Sequence, residues 1–323
     1  MSEQINTREQ YQRLVEEHET LSEDQLIRDT ASTPLGTVSV PFNKNDDPEI
    51  KQLNSRLGYQ DLILSNFPSR GLFYRNGMKI SIRPATVEEI KAYSTMDEND
   101  PFDMDDKLNA ILFACCKVSF SNGVGSYKDI LEEDRFWVIL NIKELTFQDS
   151  ENKLIVKHKC TSCEESDEYE IKTPNLEFQD ISDNEKYYDE SLKSYRFQTK
   201  SLGEFIMQPP TIGVTRAVTD YIKEKEKSGA KYDKSFVQIF PYVRRDWRGL
   251  NSDLIYEEEV MSKSWSTKKF TLMYRLAETI KVGIKPEFQT MCKHCDKEVA
   301  VPVSFPNGIK SIFVVSDISD ELL

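Results

Sequence analysis

Across 323 residues, 55 Asp and Glu outnumber 42 Lys and Arg, and the formal charge of −13 argues against the broad cationic footprint that phosphate-backbone binding needs. Three histidines, His18, His158 and His294, fall in no metal-enzyme or triad arrangement, and twelve scattered glycines form no phosphate-cradling loop, which counts against hydrolase and nucleotide-site classes. No apolar run approaches the roughly 18 residues that would cross a bilayer, nothing at the N-terminus resembles a secretory signal, and the length allows two ordinary domains or one with a long insertion.

Residues 1–60 read as a polar arm. Ser22 and Gln25 frame a short helix near Glu23–Asp29, and Ala31 to Pro48 has the composition of a linker or of a segment that orders on binding. A hairpin and helical domain is expected over 61–150. Leu62-Ile63-Leu64 leads into Phe67 to Tyr74, Asn76-Gly77 supplies a hairpin turn, and Met78–Arg83 returns with Ile80 and Ile82 on one face. Thr86 with Glu89 predicts a capping box opening a helix to about Tyr93, followed by an acidic loop, Met96–Asp106. Leu108, Ile111, Leu112, Cys115 and Cys116 then recur at helical spacing; adjacent cysteines on a helix diverge too far to chelate one ion, so both are assigned to the core. A further helix, Glu132–Thr146, presents Phe136, Ile139, Leu140 and Lys143, with Asp134-Arg135 read as an exposed helix start or, alternatively, as buried partners of Arg70 or Arg83.

Two Cys-x-x-Cys pairs organise the rest: Cys160 with Cys163, and Cys292 with Cys295. Each sits at the tip of a predicted hairpin, the first between Lys153–Lys159 and Tyr169–Thr173, the second between Ile284–Thr290 and Val299–Phe305. Two intervening residues let both sulfurs of a pair face one ion, and two such loops supply a tetrahedral four-thiolate shell for Zn2+. A thioredoxin-like redox motif would need a strand-to-helix setting that neither pair has, and a disulfide would need an oxidising compartment. A four-cysteine shell keeps no open position, so the zinc is structural and His294 a bystander. Zinc loops of this kind commonly carry glycine after the second cysteine; here Glu164 and Asp296 stand there.

The expected architecture is therefore α+β, with a β-hairpin and helices followed by a split four-cysteine zinc ribbon over 151–310 (segments 153–174 and 284–305). The ribbon is interrupted by a mostly helical insertion, 175–283. Within the interruption, Glu164–Glu190 reads as a solvated loop, Ser201–Gln208 as a strand, and Pro209-Pro210-Thr211 as the start of a helix burying Val214, Ala217, Val218, Tyr221 and Ile222. Helices follow at Ser235–Tyr242 and Thr267–Ile280; the stripe Phe270, Met273, Tyr274, Ala277 and Ile280 is assigned to packing between the two cysteine loops. Residues 311–323 read as a strand, Ser311–Val315, with an acidic tail.

Six landmarks in order, Pro68 to Tyr74, Ile82-Arg83-Pro84 with Thr86, Asp134-Arg135, Cys160-x-x-Cys163, Gln208 to Thr211 and Cys292-x-x-Cys295, resemble the baseplate hub assembly family of contractile-tailed, T-even-like bacteriophages. The resemblance runs from about Asp61 to the C-terminus. It implies a non-enzymatic viral protein that helps assemble the baseplate central hub by binding hub subunits or the tape-measure protein, in the host cytoplasm during tail assembly or in the virion, with no membrane or nucleic-acid partner. Arg70 and Arg83 are read as structural. The alternative is a zinc-ribbon nucleic-acid-binding accessory factor, using Lys157, Lys159, Lys293 and Lys297 or the stretch Val243 to Arg248 as a basic edge. A metal hydrolase would require an open coordination position and a general base.

Overall fold

Among the described residues every strand pairing in the computed structural model is antiparallel, and the strands divide among four small sheets rather than one. The structure describes residues 58–147, 153–305 and 308–314; the expected helix near Glu23–Asp29, the linker and the acidic tail lie outside them. Helices and antiparallel sheets together make the fold α+β.

The first sheet runs β1 (Gln60–Asp61), β2 (Lys79–Ile82), β3 (Cys116–Phe120), β4 (Gly123–Val124) in that order. This corrects the expected hairpin. Gly77 does turn the chain at φ 76, where a Cβ would lie 1.7 Å from the Ser121 hydroxyl, but β2 pairs with β1 and β3 instead of with residues 67–74. Those residues are coiled into turns, with Arg70 and Gly71 both left-handed at φ 54 and 72. As the central strand β2 buries Ile80, Ser81 and Ile82 alike, so its outer face is covered rather than solvated.

Thr86 and Glu89 form the expected reciprocal box at the start of α1 (Val87–Ser94). Glu89 also grips Arg83 through two hydrogen bonds of 2.6 and 3.0 Å, which fixes the end of β2 against the helix. The next helix, α2 (Pro101–Cys115), begins inside the stretch expected to be an acidic loop. Asp100 caps it by accepting from the Phe102 amide and Pro101 opens it, so the local start signal overrides the charge density. Leu108, Ile111, Leu112 and Cys115 are buried on its stripe, while Cys116 leaves the helix as the first residue of β3. α3 (Glu132–Thr146) falls where periodicity placed it and buries Trp137, Val138, Ile139, Leu140 and Ile142, each fully covered apolar side chain contributing about 1.5–3 kcal/mol.

Two hairpins carry the cysteines: β5 (Ile155–Lys159) with β6 (Ser166–Glu170), and β10 (Glu287–Met291) with β11 (Glu298–Pro302). The stretch expected as a solvated loop after the first hairpin is instead packed. Ile171, Thr173, Leu176, Ile181 and Asn184 are buried, Thr173 donates to Glu144 on α3, Phe178 bridges to Ile284, and Asn184 donates to the Thr279 carbonyl. Its two 3-10 turns, Thr173–Asn175 and Ser182–Tyr187, carry neither helical nor strand periodicity, so pattern reading passes over them.

A three-stranded sheet follows, β7 (Tyr188–Asp189), β8 (Ser194–Thr199) and β9 (Gly203–Met207); β8 was not anticipated, although Tyr195 and Phe197 alternate inward along it. Four helices complete the middle of the chain: α4 (Ile212–Ser228), capped by Thr211 and stopped by left-handed Gly229, α5 (Lys234–Val243), α6 (Ser252–Ser262) and α7 (Thr267–Thr279). α6 too was not anticipated. Val218, Tyr221, Phe236, Val237, Phe240 and Ile255 form a second, smaller core among α4, α5 and α6. On α7, Met273 and Ala277 are buried, as is Ile280 just beyond it, while Tyr274 stands exposed; the helix packs against α5, which corrects its assignment to the space between the hairpins. Ile309–Ile312 forms a 3-10 turn where a strand was expected, and Phe313 buries its ring against Tyr93 at 5.1 Å. Among the described residues no helix is long and apolar enough to cross a membrane.

Candidate metal centre

The two hairpin tips meet, although Cys163 and Cys292 are 129 positions apart. Val156, Tyr169, Phe288, Val299 and Val301 belong to the main core, so burial of the hairpin faces aligns the tips. In both tips the chain folds in the same way. The Cys160 amide donates to the Glu165 carbonyl at 2.8 Å and the Glu164 amide to the Cys160 carbonyl at 3.0 Å; Cys292 with Lys297, and Asp296 with Cys292, repeat these bonds at 2.8 and 3.0 Å. The amides of Ser162 and His294 point at the sulfurs of Cys160 and Cys292, 3.4 and 3.5 Å away. Glu164 and Asp296 are left-handed at φ 60 and 55, so the chain makes the turn that glycine usually makes at this place and accepts the strain.

All four sulfurs, from Cys160, Cys163, Cys292 and Cys295, lie within 4.8 Å of one another, the one group of three or more potential ligands so placed among the described residues. Across the tips, Cys160 to Cys295 is 3.8 Å and Cys163 to Cys292 is 3.7 Å. A tetrahedron with metal–sulfur bonds of about 2.3 Å has edges of about 3.8 Å, whereas a disulfide would bring two sulfurs to about 2.05 Å. The spacing fits a shared cation. A further atom fits it as well: the Tyr169 hydroxyl is buried without a hydrogen-bond partner, and burial together with the charge of a Cys292 thiolate raises it. A thiolate there would accept a hydrogen bond from that hydroxyl.

The electrostatics divide the four. Amides of Cys163 and Ser162 pull the Cys160 thiol down to about 6, and the His294 amide lowers Cys292. Amides of Glu165 and Lys297 also favour thiolates at Cys163 and Cys295, but desolvation and the neighbouring sulfurs outweigh them; Cys163 is pushed up to about 12 and Cys295 is raised. Four thiolates this close repel, and a divalent cation removes that conflict. The His294 ring turns away, its Nε2 3.9 Å from an Asp167 oxygen, so it stands outside the ligand set.

Three of the four lysines read as a basic edge are matched by acids, Lys157 with Glu168 at 3.2 Å, Lys159 with Glu164 at 3.4 Å, and Lys293 with Asp167 at 3.0 Å, whereas Lys297 has no such partner among the described residues. The other candidate basic stretch is folded back on the protein. Arg248 pairs with Asp129 and Asp246, Arg245 donates to the Leu192 carbonyl, and Trp247 donates to Asp129 while resting on Gly213, where a Cβ would come within 2.3 Å of the indole.

A second junction, which the sequence reading missed, lies at the start of α3. Asp134, read as exposed or paired with arginine, is fully buried and accepts from the Ser69 amide at 2.9 Å, the Ser69 hydroxyl at 2.5 Å and the Tyr74 hydroxyl at 2.7 Å. Burial pushes its carboxyl up to about 6 against the pull of those donors. Arg135 pairs instead with Asp105 and Glu132, Arg83 with Glu89, and Arg70 with Asp180 and Glu185. The Glu132 amide donates to the Pro210 carbonyl and Leu131 bridges to Thr211, so three of the six ordered landmarks converge here. Next to them Glu133 buries one carboxyl oxygen without a hydrogen-bond partner, and desolvation raises it to about 8.

Fold and site together define an α+β protein in which two sequence-distant β-hairpins bring four cysteines into metal-binding range. No protein-family model, curated protein or solved structure matches the chain.

Proposed function

We propose that the four cysteines hold one structural Zn2+ in a split zinc ribbon, and that the protein is a non-enzymatic assembly factor for the baseplate hub of a contractile-tailed phage. The observation that carries the metal reading is the mutual approach of all four sulfurs within 4.8 Å. Four thiolates select a soft, tetrahedral ion and leave no position for an activated water, so the ion's work is to join the hairpins.

The step from zinc protein to hub assembly rests on the ordered landmarks. Their roles support it: Ser69, Tyr74, Asp134 and Thr211 hold the fold together, Arg83 locks a strand to a helix, and the cysteines clasp the two hairpins. The pairing of Lys157, Lys159 and Lys293 with carboxylates weakens the nucleic-acid alternative, because an incoming phosphate would have to displace those acids. Binding to hub subunits or the tape-measure protein is tested by purifying tagged protein from phage-producing cells and measuring metal on the same sample. Recovery of tail proteins with about one zinc per chain is expected; recovery of nucleic acid and transcription proteins would overturn the assembly reading.

A further inference from the structure

Four large apolar side chains stand in solvent on a single helix. On α6, Leu254, Tyr256, Val260 and Met261 are 36, 47, 44 and 54% exposed, while the opposite side of the same helix is anchored by buried Ile255, Glu259 and Ser262. Glu259 accepts from the Tyr221 hydroxyl and from the Asp233 amide, which fixes how the helix is rotated. The apolar exposure is therefore built in.

The charges around it are all of one kind along the middle of the face. Leu254 and Met261 lie two turns apart on one ridge with Glu257 and Glu258 between them; Tyr256 and Val260 lie one turn apart on the next, beside Asp253. Among the described residues none of Asp253, Glu257 and Glu258 has an ion-pair partner, in contrast to Asp105, Asp106 and Asp129, which are all paired with cations. The far edge is closed by Lys225, whose ammonium sits 4.2 Å from the Tyr256 ring.

We propose that this face of α6 docks a cationic amphipathic helix of a partner protein, whose aliphatic stripe covers Leu254, Val260 and Met261 while its Lys and Arg meet Asp253, Glu257 and Glu258. Exposed apolar groups interleaved with charge of one sign mark an interaction site, and the sign of that charge selects the partner. A second copy of this chain is the poorer occupant, because antiparallel pairing of α6 with itself sets Glu257 and Glu258 against their own images. The inference deepens the binding role proposed above and rests on it in treating the chain as a binding protein. Its test uses no tail protein and no metal, so either reading can fail alone.

The probe is a fluorescent peptide of about 15 residues made of Leu and Lys in helical amphipathic order, with a Leu and Glu peptide as control, titrated onto the full chain. Binding of the Lys peptide alone is expected. The double variant Val260→Glu, Met261→Glu should weaken it at least about tenfold even though it adds negative charge, and Glu257→Gln with Glu258→Gln should weaken it and flatten its salt dependence. Val260, Met261 and Glu257 are exposed and Glu258 is half-buried, so both variants should melt close to the parent. Equal or tighter binding by the V260E/M261E protein would reduce the effect to diffuse electrostatics and overturn the proposal. So would equal binding of the Glu peptide, no binding of either peptide, or a self-association in sedimentation that V260E/M261E abolishes.

Discussion

The paired cysteine tips and the junction at the start of α3 solve the same problem by different chemistry. Each ties together segments far apart in the chain. The tips do it with four sulfurs arranged for one cation, near the surface, on two hairpins that share the same local hydrogen bonds. The junction does it with one carboxylate, Asp134, wholly buried and surrounded by neutral donors from Ser69 and Tyr74. On the proposed reading one clasp depends on an ion from solution, whereas the other is completed by the chain itself. The first can therefore be opened by a chelator or an acid, the second only by changing a residue or its protonation.

Breaking the metal clasp should have the largest effect. Cys160→Ser or Cys292→Ser removes one thiolate from a shell of four, and the loss of coupled metal binding should cost on the order of several kcal/mol, read as a fall in melting temperature with loss of bound metal and aggregation. A soluble variant with unchanged melting would remove the metal from the account. Asp134→Ala comes next. It strands the Ser69 amide, the Ser69 hydroxyl and the Tyr74 hydroxyl in the interior, and should cost about 3–5 kcal/mol in urea unfolding while metal content stays the same. That split between stability and metal is what distinguishes the two clasps.

The pH dependence sharpens the contrast. Glu133 is raised to about 8 from its ordinary 4.5, and Asp134 to about 6 from 3.8. Both raised values mean that the folded protein holds these protons more tightly than the unfolded chain. Their contribution to stability is complete below the ordinary values and is lost as pH rises through about 6 for Asp134 and about 8 for Glu133. Glu133→Gln should remove the fall in stability that this carboxyl imposes between about pH 4.5 and about 8 and leave the variant more stable than the parent at about pH 9, as measured by urea unfolding at a series of pH values. An unaltered slope would show that the Glu133 carboxyl is solvated. The smallest effect should come from Glu164→Gly, which relieves a left-handed non-glycine residue and should stabilise the metal-bound protein by less than about 1 kcal/mol.

The same contrast explains what the sequence makes legible. A Cys-x-x-Cys pair encodes its geometry within four residues, and hairpin strands on either side declare themselves by alternation, so Cys160, Cys163, Cys292 and Cys295 could be grouped without knowing the path between them. Thr86 with Glu89, and the stripe on Glu132–Thr146, are equally local. Asp134 is not: its partners lie 65 and 60 positions earlier, at Ser69 and Tyr74, and nothing near it distinguishes a buried acid from an ordinary acidic first turn. The Asn76-Gly77 turn was visible, but which strands it would serve was decided by long-range pairing of β2 with β1 and β3. The acidic density of 96–106 concealed the Asp100 cap and Pro101 start of α2, and Tyr169 reads as an ordinary strand tyrosine until Cys292 is folded against it.

The central claim, a closed four-thiolate metal clasp between the hairpins, is tested most directly by X-ray absorption at the metal edge of the purified protein. The account predicts zinc with four sulfur neighbours at about 2.3 Å and no oxygen or nitrogen in the shell. Two sulfurs with water completing the shell, or a metal-free protein whose cysteines are joined in disulfides, would contradict it.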